Sequence, residues 1–308
     1  MTDGSSPPRC GSVALIGRPN AGKSTLMNRW LGQKLAIVSD KPQTTRHRLV
    51  GLLTEERGQM IFFDTPGVHK PLHHLNRQMV RHAIEALDAA DVVCLLVDAS
   101  TPFGGGDAYL LERAGRAPGA RVLALNKIDR VAKPRLLPLM ARYGAAGTFE
   151  EIVPISAATG EGCDELLALL WRRLPEGPPR FDPELLTTQP ERYHAAERIR
   201  EQVLAQTRDE LPFTTAVQIE RWEEGGDSAQ TVIFASILVE SPGQKKILIG
   251  KGGERVREIG TRARLDLQEF LGRRVHLELH VRHAPRWRED ARLLALLERD
   301  LEGDLGSG

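Results

Sequence analysis

The sequence has no long apolar run and few cysteines among its 308 residues. Its longest apolar stretches, such as residues 92–97, fall far short of the ~20 residues that a membrane-spanning helix needs, and its first residues lack the apolar core of a signal peptide. The 3 cysteines form no CxxC pair, which disfavours a zinc knuckle and a disulfide framework. These absences predict a cytoplasmic protein without structural disulfides.

The chain also lacks a strong overall charge, since its formal net charge is only +1. With 41% hydrophobic and 27% charged residues, it has the composition of a folded globular protein. A nucleic-acid partner must therefore be indicated locally. Residues 245–288 contain 12 basic and 5 acidic residues, which indicates nucleic-acid binding, although an arginine-rich solvated surface would give the same count.

Two domains are predicted from the order of the apolar segments. Over residues 12–174, short apolar runs alternate with amphipathic stretches, which predicts an α/β domain with a mostly parallel sheet and helices on both faces. The proline-rich residues 175–190 predict an interdomain linker. Beyond it, the predicted order is helix, strand, strand, helix, helix, strand, with a final helix, which is typical of an α+β domain. The first of these strands is predicted over residues 214–221, the turn after it at 224–227, and the final helix from residue 288. We expect domains at 1–174 and 191–308.

The first motif is a phosphate loop. Residues 17–24 are GRPNAGKS, which match GxxxxGK[ST] between a predicted strand and a predicted helix. In such a loop the backbone N–H groups surround phosphates, Lys23 contacts the β and γ oxygens, and the Ser24 hydroxyl holds Mg²⁺. The residues expected at the phosphates are Gly17, Arg18, Pro19, Asn20, Ala21, Gly22, Lys23, Ser24 and Thr25.

The second motif is DTPG, which begins at the end of the apolar strand predicted over residues 59–63. Asp64 is placed at the carboxyl edge of the sheet, where open α/β sheets bind ligands, and we expect it to hold Mg²⁺ through water. Gly67 can offer its N–H to a γ-phosphate without a side chain in the way. The motif therefore predicts a segment that senses this phosphate.

The third and fourth motifs predict guanine as the base. In NKID, Asn126 and Lys127 precede Asp129, whose carboxylate can accept both N1–H and the exocyclic N2–H of guanine. Adenine offers no such pair of donors, so it would leave the carboxylate unpaired. After the next predicted strand, Ser156 and Ala157 are expected to supply a backbone N–H to guanine O6. GTP is thus predicted over ATP.

Together these four motifs resemble the translation-factor-like branch of P-loop GTPases. Residues 17–25 (GRPNAGKST), 39–48 (SDKPQTTRHR) and 64–71 (DTPGVHKP) resemble the Era family, whose members join such a GTPase domain to a C-terminal RNA-binding KH domain. The resemblance spans nearly the whole chain. It implies a GTPase with Mg²⁺, a first switch at residues 41–47 and a second at 69–75.

The same resemblance implies that Thr44 or Thr45 supplies a second hydroxyl to Mg²⁺, and we favour Thr45. Lys23, Thr45 and Gly67 are then the candidate catalytic residues. The histidines of the second switch, His69, His73 and His74, are interpreted as an exposed polar loop rather than a metal site, because no carboxylate–histidine pair is evident.

One position departs from Ras-like GTPases, in which a Gln after DxxG orients the attacking water. Here that residue is Val68, which cannot hydrogen-bond through its side chain. We therefore expect slow intrinsic hydrolysis, with water positioned by the backbone, a switch or a partner. Our hypothesis is that Asn20 helps a monovalent cation, K⁺, to stand in for an arginine finger.

The C-terminal domain contains a GxxG loop, with which KH domains clamp the backbone of about four nucleotides. The loop lies between two predicted helices, and the order of the elements is that of the type II KH fold. Arg286 and Trp287 follow the last strand, where the ring either stacks on a base or anchors the last helix. The candidate RNA-binding residues are Lys245, Lys246, Gly250, Lys251, Gly252, Gly253, Arg255, Arg257, Arg286 and Trp287.

Similarity to the Era family further implies a partner. The RNA would be the single-stranded 3′ end of 16S rRNA, and the role would be assembly and maturation of the small (30S) ribosomal subunit by a monomer. Weak peripheral association with the inner membrane is left open. Two alternatives are a GTPase of tRNA modification or large-subunit assembly, and an RNA-binding scaffold that uses GTP only for structure.

Overall fold

In the computed structural model, residues 7–41, 44–67, 74–225 and 230–299 are described. The chain divides into two compact units. The first comprises nearly all residues up to Thr188, and the second begins at Gln189.

The first unit is built on a six-stranded sheet with the order β2-β3-β1-β4-β5-β6. Its strands are β1 (Arg9–Gly17), β2 (Leu49–Glu55), β3 (Gly58–Asp64), β4 (Val92–Asp98), β5 (Ala120–Asn126) and β6 (Glu151–Pro154). Its helices are α1 (Lys23–Leu31), α2 (His74–Ala89), α3 (Gly105–Gly115), α4 (Leu136–Gly144) and α5 (Cys163–Arg173). Strand β2 runs antiparallel to β3 and the other neighbours pair in parallel, so the prediction of a mostly parallel sheet is confirmed.

The sheet buries both faces. On one face, α2, α3 and α4 pack over residues such as Ile16, Leu95 and Leu123. On the other, α1 places Trp30 in a stack with Phe62 of β3, with ring centroids 5.1 Å apart. Because both faces are covered, the strands are near-continuous apolar runs, as parallel strands usually are. Their carboxyl ends meet at one edge, which collects the chemically active loops.

Residues 175–188, which make up most of the linker predicted over residues 175–190, lie along the edge of this sheet, and we call them the strap. The backbone N–H of Leu52 in edge strand β2 donates to the carbonyl of Leu186 at 2.8 Å. The fully buried Gln59 of β3 donates through Nε2 to the Phe181 carbonyl at 3.0 Å. Its Oε1 accepts the N–H groups of Arg180 and Phe181, both at 2.9 Å. The strap therefore belongs to the first unit and covers an otherwise open strand edge.

The second unit has the predicted order of helix, strand, strand, helix, helix, strand, which is confirmed. Its elements are α6 (Glu191–Gln206), α7 (Leu211–Thr214), β7 (Ala216–Gly225), β8 (Gln230–Val239), α8 (Pro242–Ile249), α9 (Glu254–Leu271), β9 (Arg274–His283) and α10 (Ala291–Arg299). Strand β8 is central, antiparallel to β7 and parallel to β9. Helices α6, α8 and α9 cover one face, with Ile199, Leu248 and Ile259 fully buried.

Two boundaries in the second unit differ from the prediction. The strand expected over residues 214–221 starts only at Ala216, because Pro212 lies in the first turn of the short helix α7, where its missing N–H is tolerated. The last helix, expected from residue 288, starts at Ala291, after a 3₁₀ turn over Trp287–Glu289. The turn expected at residues 224–227 lies partly outside the described residues. Within the described ranges, no helix is long and apolar enough to cross a membrane.

Candidate functional site

The phosphate loop joins β1 to α1 in a conformation that requires glycine. Gly22 has φ of +100°, and a Cβ there would lie 2.2 Å from Nδ2 of Asn126. Asn20, with φ of 61°, donates its side-chain amide to the Asp40 carbonyl at 2.6 Å. The loop is therefore fixed both by its own backbone and by two neighbouring segments.

Lys23 opens α1 and is buried beneath this loop. Its Nζ donates to the carbonyls of Gly17 and Arg18, at 3.4 and 3.3 Å. Burial lowers the pKa of Lys23, while the charge of Asp64 opposes that shift. The side chain of Arg18 pairs instead with Asp107 at 3.1 Å. Lys23 is thus the cation held inside the loop, where a phosphate would meet it.

Three side chains that carry oxygen atoms lie together beside Lys23. The Ser24 hydroxyl donates to Oδ2 of Asp64 at 2.6 Å and lies 3.1 Å from the Thr45 hydroxyl, which is 3.4 Å from the same carboxylate. Thr44 donates instead to the Lys41 carbonyl at 2.6 Å. The other oxygen of Asp64, Oδ1, is buried and has no hydrogen-bond partner among the described residues. Hydroxyl and carboxylate oxygens are the donors that Mg²⁺ prefers, so this set fits the ion and favours Thr45 over Thr44.

Burial also raises the pKa of Asp64, against the opposing effects of Lys23, Ser24 and Thr45. Three residues further along, Gly67 packs on the phosphate loop, and a Cβ there would lie 2.6 Å from the backbone nitrogen of Pro19. Only glycine allows this approach. Val68, His69 and His73 lie outside the described residues, whereas His74 is the first residue of α2.

On the base side, Asn126 at the end of β5 connects two loops. Its Nδ2 donates to the Ala21 carbonyl at 2.7 Å, and its Oδ1 accepts the Ala157 N–H at 2.9 Å. The Ser156 N–H donates to the Glu161 carbonyl at 2.8 Å. In this conformation both N–H groups are bound within the protein, so a contact of Ser156 or Ala157 with guanine O6 stays a prediction.

Asp129 is oriented by a side chain rather than by backbone. The Ser156 hydroxyl donates to its Oδ1 at 2.6 Å, and Nε of Arg130 lies 3.8 Å from its Oδ2. Lys127, in the left-handed region with φ of 65°, donates Nζ to Oδ2 of Asp98 at 2.6 Å. This network lies beside Asn126 and gives the carboxylate of Asp129 a fixed direction.

Two residues of the site were missed by the sequence analysis. Burial acts to raise the pKa of Asp98, but hydrogen bonds from Lys127 and Ser100 outweigh it and hold the pKa below its usual value. Asp98 ends β4 as Asp64 ends β3, so the same positional signal would have found it. The other is Asn28 of α1, whose side chain binds the backbone of residues 35–36 before the first switch. No sequence pattern marks it.

A cavity of about 410 Å³ opens between these groups. Its lining includes the phosphate loop, Thr45, Gly67 and Lys127. This volume lies in the range of small-molecule sites. Of the residues predicted at the phosphates, Pro19, Asn20, Gly22, Lys23, Ser24, Thr25 and Gly67 line this one cavity together with Lys127.

The GxxG loop of the second unit lies between α8 and α9. Gly250, Gly252 and Gly253 have φ of 72°, 60° and 79°, which favours glycine at each. Lys251 is exposed at the tip, while Arg255 donates to the Ile247 carbonyl at 2.7 Å and so holds the end of α8. The loop presents backbone and one free-standing cation to solvent.

The other candidate cations differ in their exposure. Lys246, Arg257 and Arg286 are exposed, whereas Lys245 is half-buried. Trp287 is 1% exposed, and its indole N–H donates to the Thr214 carbonyl at 2.8 Å. The expectation that Trp287 stacks on a base is therefore wrong, because its ring is packed inside the unit and anchors the chain before α10.

Both units are similar to known proteins. A family model described as "50S ribosome-binding GTPase" matches residues 12–127, and a KH domain model matches residues 210–288. GTPase Era of Syntrophus aciditrophicus is 46% identical over 93% of this chain and 94% of that protein. GTPase Era of Leuconostoc citreum is 45% identical over 94% and 96%. Because the GTPase model matches residues of the first unit only, the assignment of the chain to a family rests on the relatives that are similar over nearly its whole length.

Two solved structures are similar over both units. Era in complex with MgGDPNP and nucleotides 1506–1542 of 16S ribosomal RNA has a TM-score of 0.91, with 38% identity over 94% of this chain and 98% of that chain. A point variant of Aquifex aeolicus Era bound to GDP and AlF4⁻ has a TM-score of 0.89 at the same identity and coverage.

Proposed function

The chain belongs to the Era family of GTPases, and on that premise we propose that it is a GTP-driven switch that binds the 3′ end of 16S rRNA during assembly of the 30S subunit. One observation carries the proposal. A relative similar over both units at a TM-score of 0.91 binds a GTP analogue and nucleotides 1506–1542 of that RNA. The GTPase domain and the KH domain are both present here.

In the GTPase reaction, Lys23 neutralises the β and γ oxygens from beneath the phosphate loop, and the N–H of Gly67 meets the γ-phosphate. The hydroxyls of Ser24 and Thr45 and, through water, Asp64 would hold Mg²⁺. Bound there, the ion supplies positive charge to the phosphate oxygens. Asp129 selects guanine, supported by the Ser156 hydroxyl at 2.6 Å.

Positioning of the attacking water is assigned to groups other than residue 68, because valine has no hydrogen-bonding side chain. Asn20 is a candidate ligand of K⁺, and its amide already bridges to Asp40 of the segment before the first switch. The cation would lie where an arginine finger supplies charge in other GTPases. Hydrolysis should then be faster in K⁺ than in Na⁺ at equal ionic strength. Equal rates would remove this role for Asn20.

The second unit grips single-stranded RNA with the Gly250–Gly253 loop, at which Lys251 meets a phosphate. Replacing Lys251 by alanine should weaken RNA binding and reduce the slope of log K against log salt by about 0.7, the value for one phosphate on a single strand. Lys133→Ala, at an exposed lysine of the first unit, is the matched control. An unchanged slope for Lys251→Ala would mean that this lysine meets no phosphate.

Nucleotide state is coupled to RNA affinity through the γ-phosphate, which orders the switches. An RNA dissociation constant that is the same with GDP and with a non-hydrolysable GTP analogue would contradict the coupling. A scaffold that uses GTP only for structure would show no phosphate release in a single turnover. Crosslinks far from the 3′ end of 16S rRNA would instead favour tRNA modification or the large subunit.

The remaining assignments rest on the family premise. We propose a monomer that acts in the cytoplasm on the 30S subunit, and weak peripheral membrane association stays a prediction. Sedimentation of the purified protein at micromolar concentration should give a single species near 34.1 kDa. A dimer would contradict the proposed state.

A further inference from the structure

Helix α1 contributes to the site at both of its ends. We propose that Arg29, near the end of α1, is a positioning residue for guanine recognition, since it holds the loop that aims Asp129. This inference rests on the proposed guanine site. It assigns specificity to a residue that lies outside every nucleotide-binding motif of the sequence.

The guanidinium of Arg29 binds two successive carbonyls of the loop after β6. Its Nε donates to the Ala157 carbonyl and its Nη2 to the Ala158 carbonyl, both at 2.8 Å. The planar fork of arginine matches two adjacent acceptors in a way that a lysine ammonium does not. At Gly160, where φ is +99°, a Cβ would lie 2.8 Å from Nη1 of Arg29. The loop thus has no side chain where the guanidinium lies.

Ala157 is held from both sides by this arrangement. Its N–H is bound by Asn126 and its carbonyl by Arg29. Asn126 also binds Ala21 of the phosphate loop. The position of the loop after β6 is therefore set by Arg29 of α1 and by Asn126, which also binds the phosphate loop.

The hydrogen-bond network continues from this loop to the base-binding carboxylate. The Thr159 N–H donates to the Ser156 hydroxyl oxygen at 3.2 Å, and that hydroxyl donates to Oδ1 of Asp129 at 2.6 Å. If Arg29 releases the two carbonyls, Ser156 loses its fixed place and the carboxylate of Asp129 can turn. A turned carboxylate keeps one guanine N–H but not both.

Inosine triphosphate tests this directly, because hypoxanthine lacks the exocyclic amine and offers Asp129 only N1–H. The ratio of GTP to ITP affinity therefore reports how well both carboxylate oxygens are aimed. Arg29→Ala should lower this ratio about tenfold, which is ~1.4 kcal/mol and the size of one charge-assisted hydrogen bond. ITP binding should fall less than GTP binding.

The experiment is equilibrium competition of GTP, ITP and ATP against a fluorescent GDP on the full chain. Arg116→Ala, at an exposed arginine just after α3, is the control and should leave the ratio unchanged. Arg29→Lys should give an intermediate ratio, since one ammonium replaces the fork. If Arg29→Ala fails to fold, as judged by thermal melting, Arg29→Gln carries the same comparison.

The results distinguish failure of the Arg29 role from failure of the guanine site. If the variants lower GTP and ITP affinity by the same factor, or leave both unchanged, the positioning role of Arg29 is refuted. If the unmodified protein binds ATP as tightly as GTP, the guanine site itself is refuted, whatever Arg29 does. A lower GTP-to-ITP ratio at unchanged melting temperature supports the proposal.

Discussion

Replacing Asp129 by asparagine should convert the base preference from guanine to xanthine. The Ser156 hydroxyl donates to Oδ1 of Asp129 at 2.6 Å, so an asparagine there keeps its carbonyl oxygen toward Ser156 and N1–H. Its NH₂ then occupies the place of Oδ2. Guanine presents an amine to this NH₂, whereas xanthine presents a carbonyl oxygen that accepts from it.

The magnitude follows from the hydrogen bonds exchanged. A hydrogen bond to a charged group contributes ~1.5–3 kcal/mol, and the variant loses one and weakens another, for a total of ~3–5 kcal/mol. The affinity for GTP should therefore fall ~140- to ~3,700-fold. Because the Asp129 side chain is 25% exposed, solvent screening favours the lower end of this range.

Competition of GTP and xanthosine triphosphate against a fluorescent nucleotide measures both the loss of GTP affinity and the gain of xanthosine triphosphate affinity. Asp88→Asn, at an exposed position of α2, controls for the loss of one negative charge and should change neither affinity. If Asp129→Asn bound GTP as tightly as the unmodified protein, or gained nothing for xanthosine triphosphate, this carboxylate would not contact the base edge.

Three further predictions test the supporting structure. Gly22→Ala should lower GTP affinity at least about tenfold, since its Cβ would displace Asn126 and its φ of +100° is strained for alanine; nucleotide titration checks this. Trp287→Phe should lower the free energy of unfolding in urea by ~1–3 kcal/mol, because it leaves a buried carbonyl without its donor. The RNA affinity of this variant should not change. Weaker RNA binding at full stability would restore a stacking role for Trp287. Gln59→Ala should lower the free energy of unfolding by ~2–4 kcal/mol and speed proteolysis within the strap, because its three hydrogen bonds to the strap are lost; unchanged cleavage would contradict its role.

The sequence predicted the parts of the site whose chemistry is local. The phosphate loop and Asp64 could be placed because a glycine-rich turn between strand and helix, and a carboxylate at a strand end, have a function wherever the sheet is parallel. The order of helices and strands in both units was confirmed for a similar reason, since hydrophobic periodicity determines it.

The parts that could not be predicted depend on contacts distant in the chain. Asn126 binds the N–H of Ala157, so the donor expected for guanine O6 is already bound in this conformation. The sequence allows two roles for Trp287 because its burial depends on α7, more than 70 residues earlier. Arg29 has no motif at all. Its partners are set by where the loop after β6 meets α1.

The strap changes where the catalytic half of the molecule ends. A fragment stopping at residue 174 would uncover the apolar pair Val50 and Leu52, against which Phe181 packs, and would leave the backbone of β2 open to pair with another chain. Such a fragment should aggregate through its strand edge. One that continues to residue 188 carries its own cover, so the minimal autonomous enzyme is longer than its sequence motifs suggest.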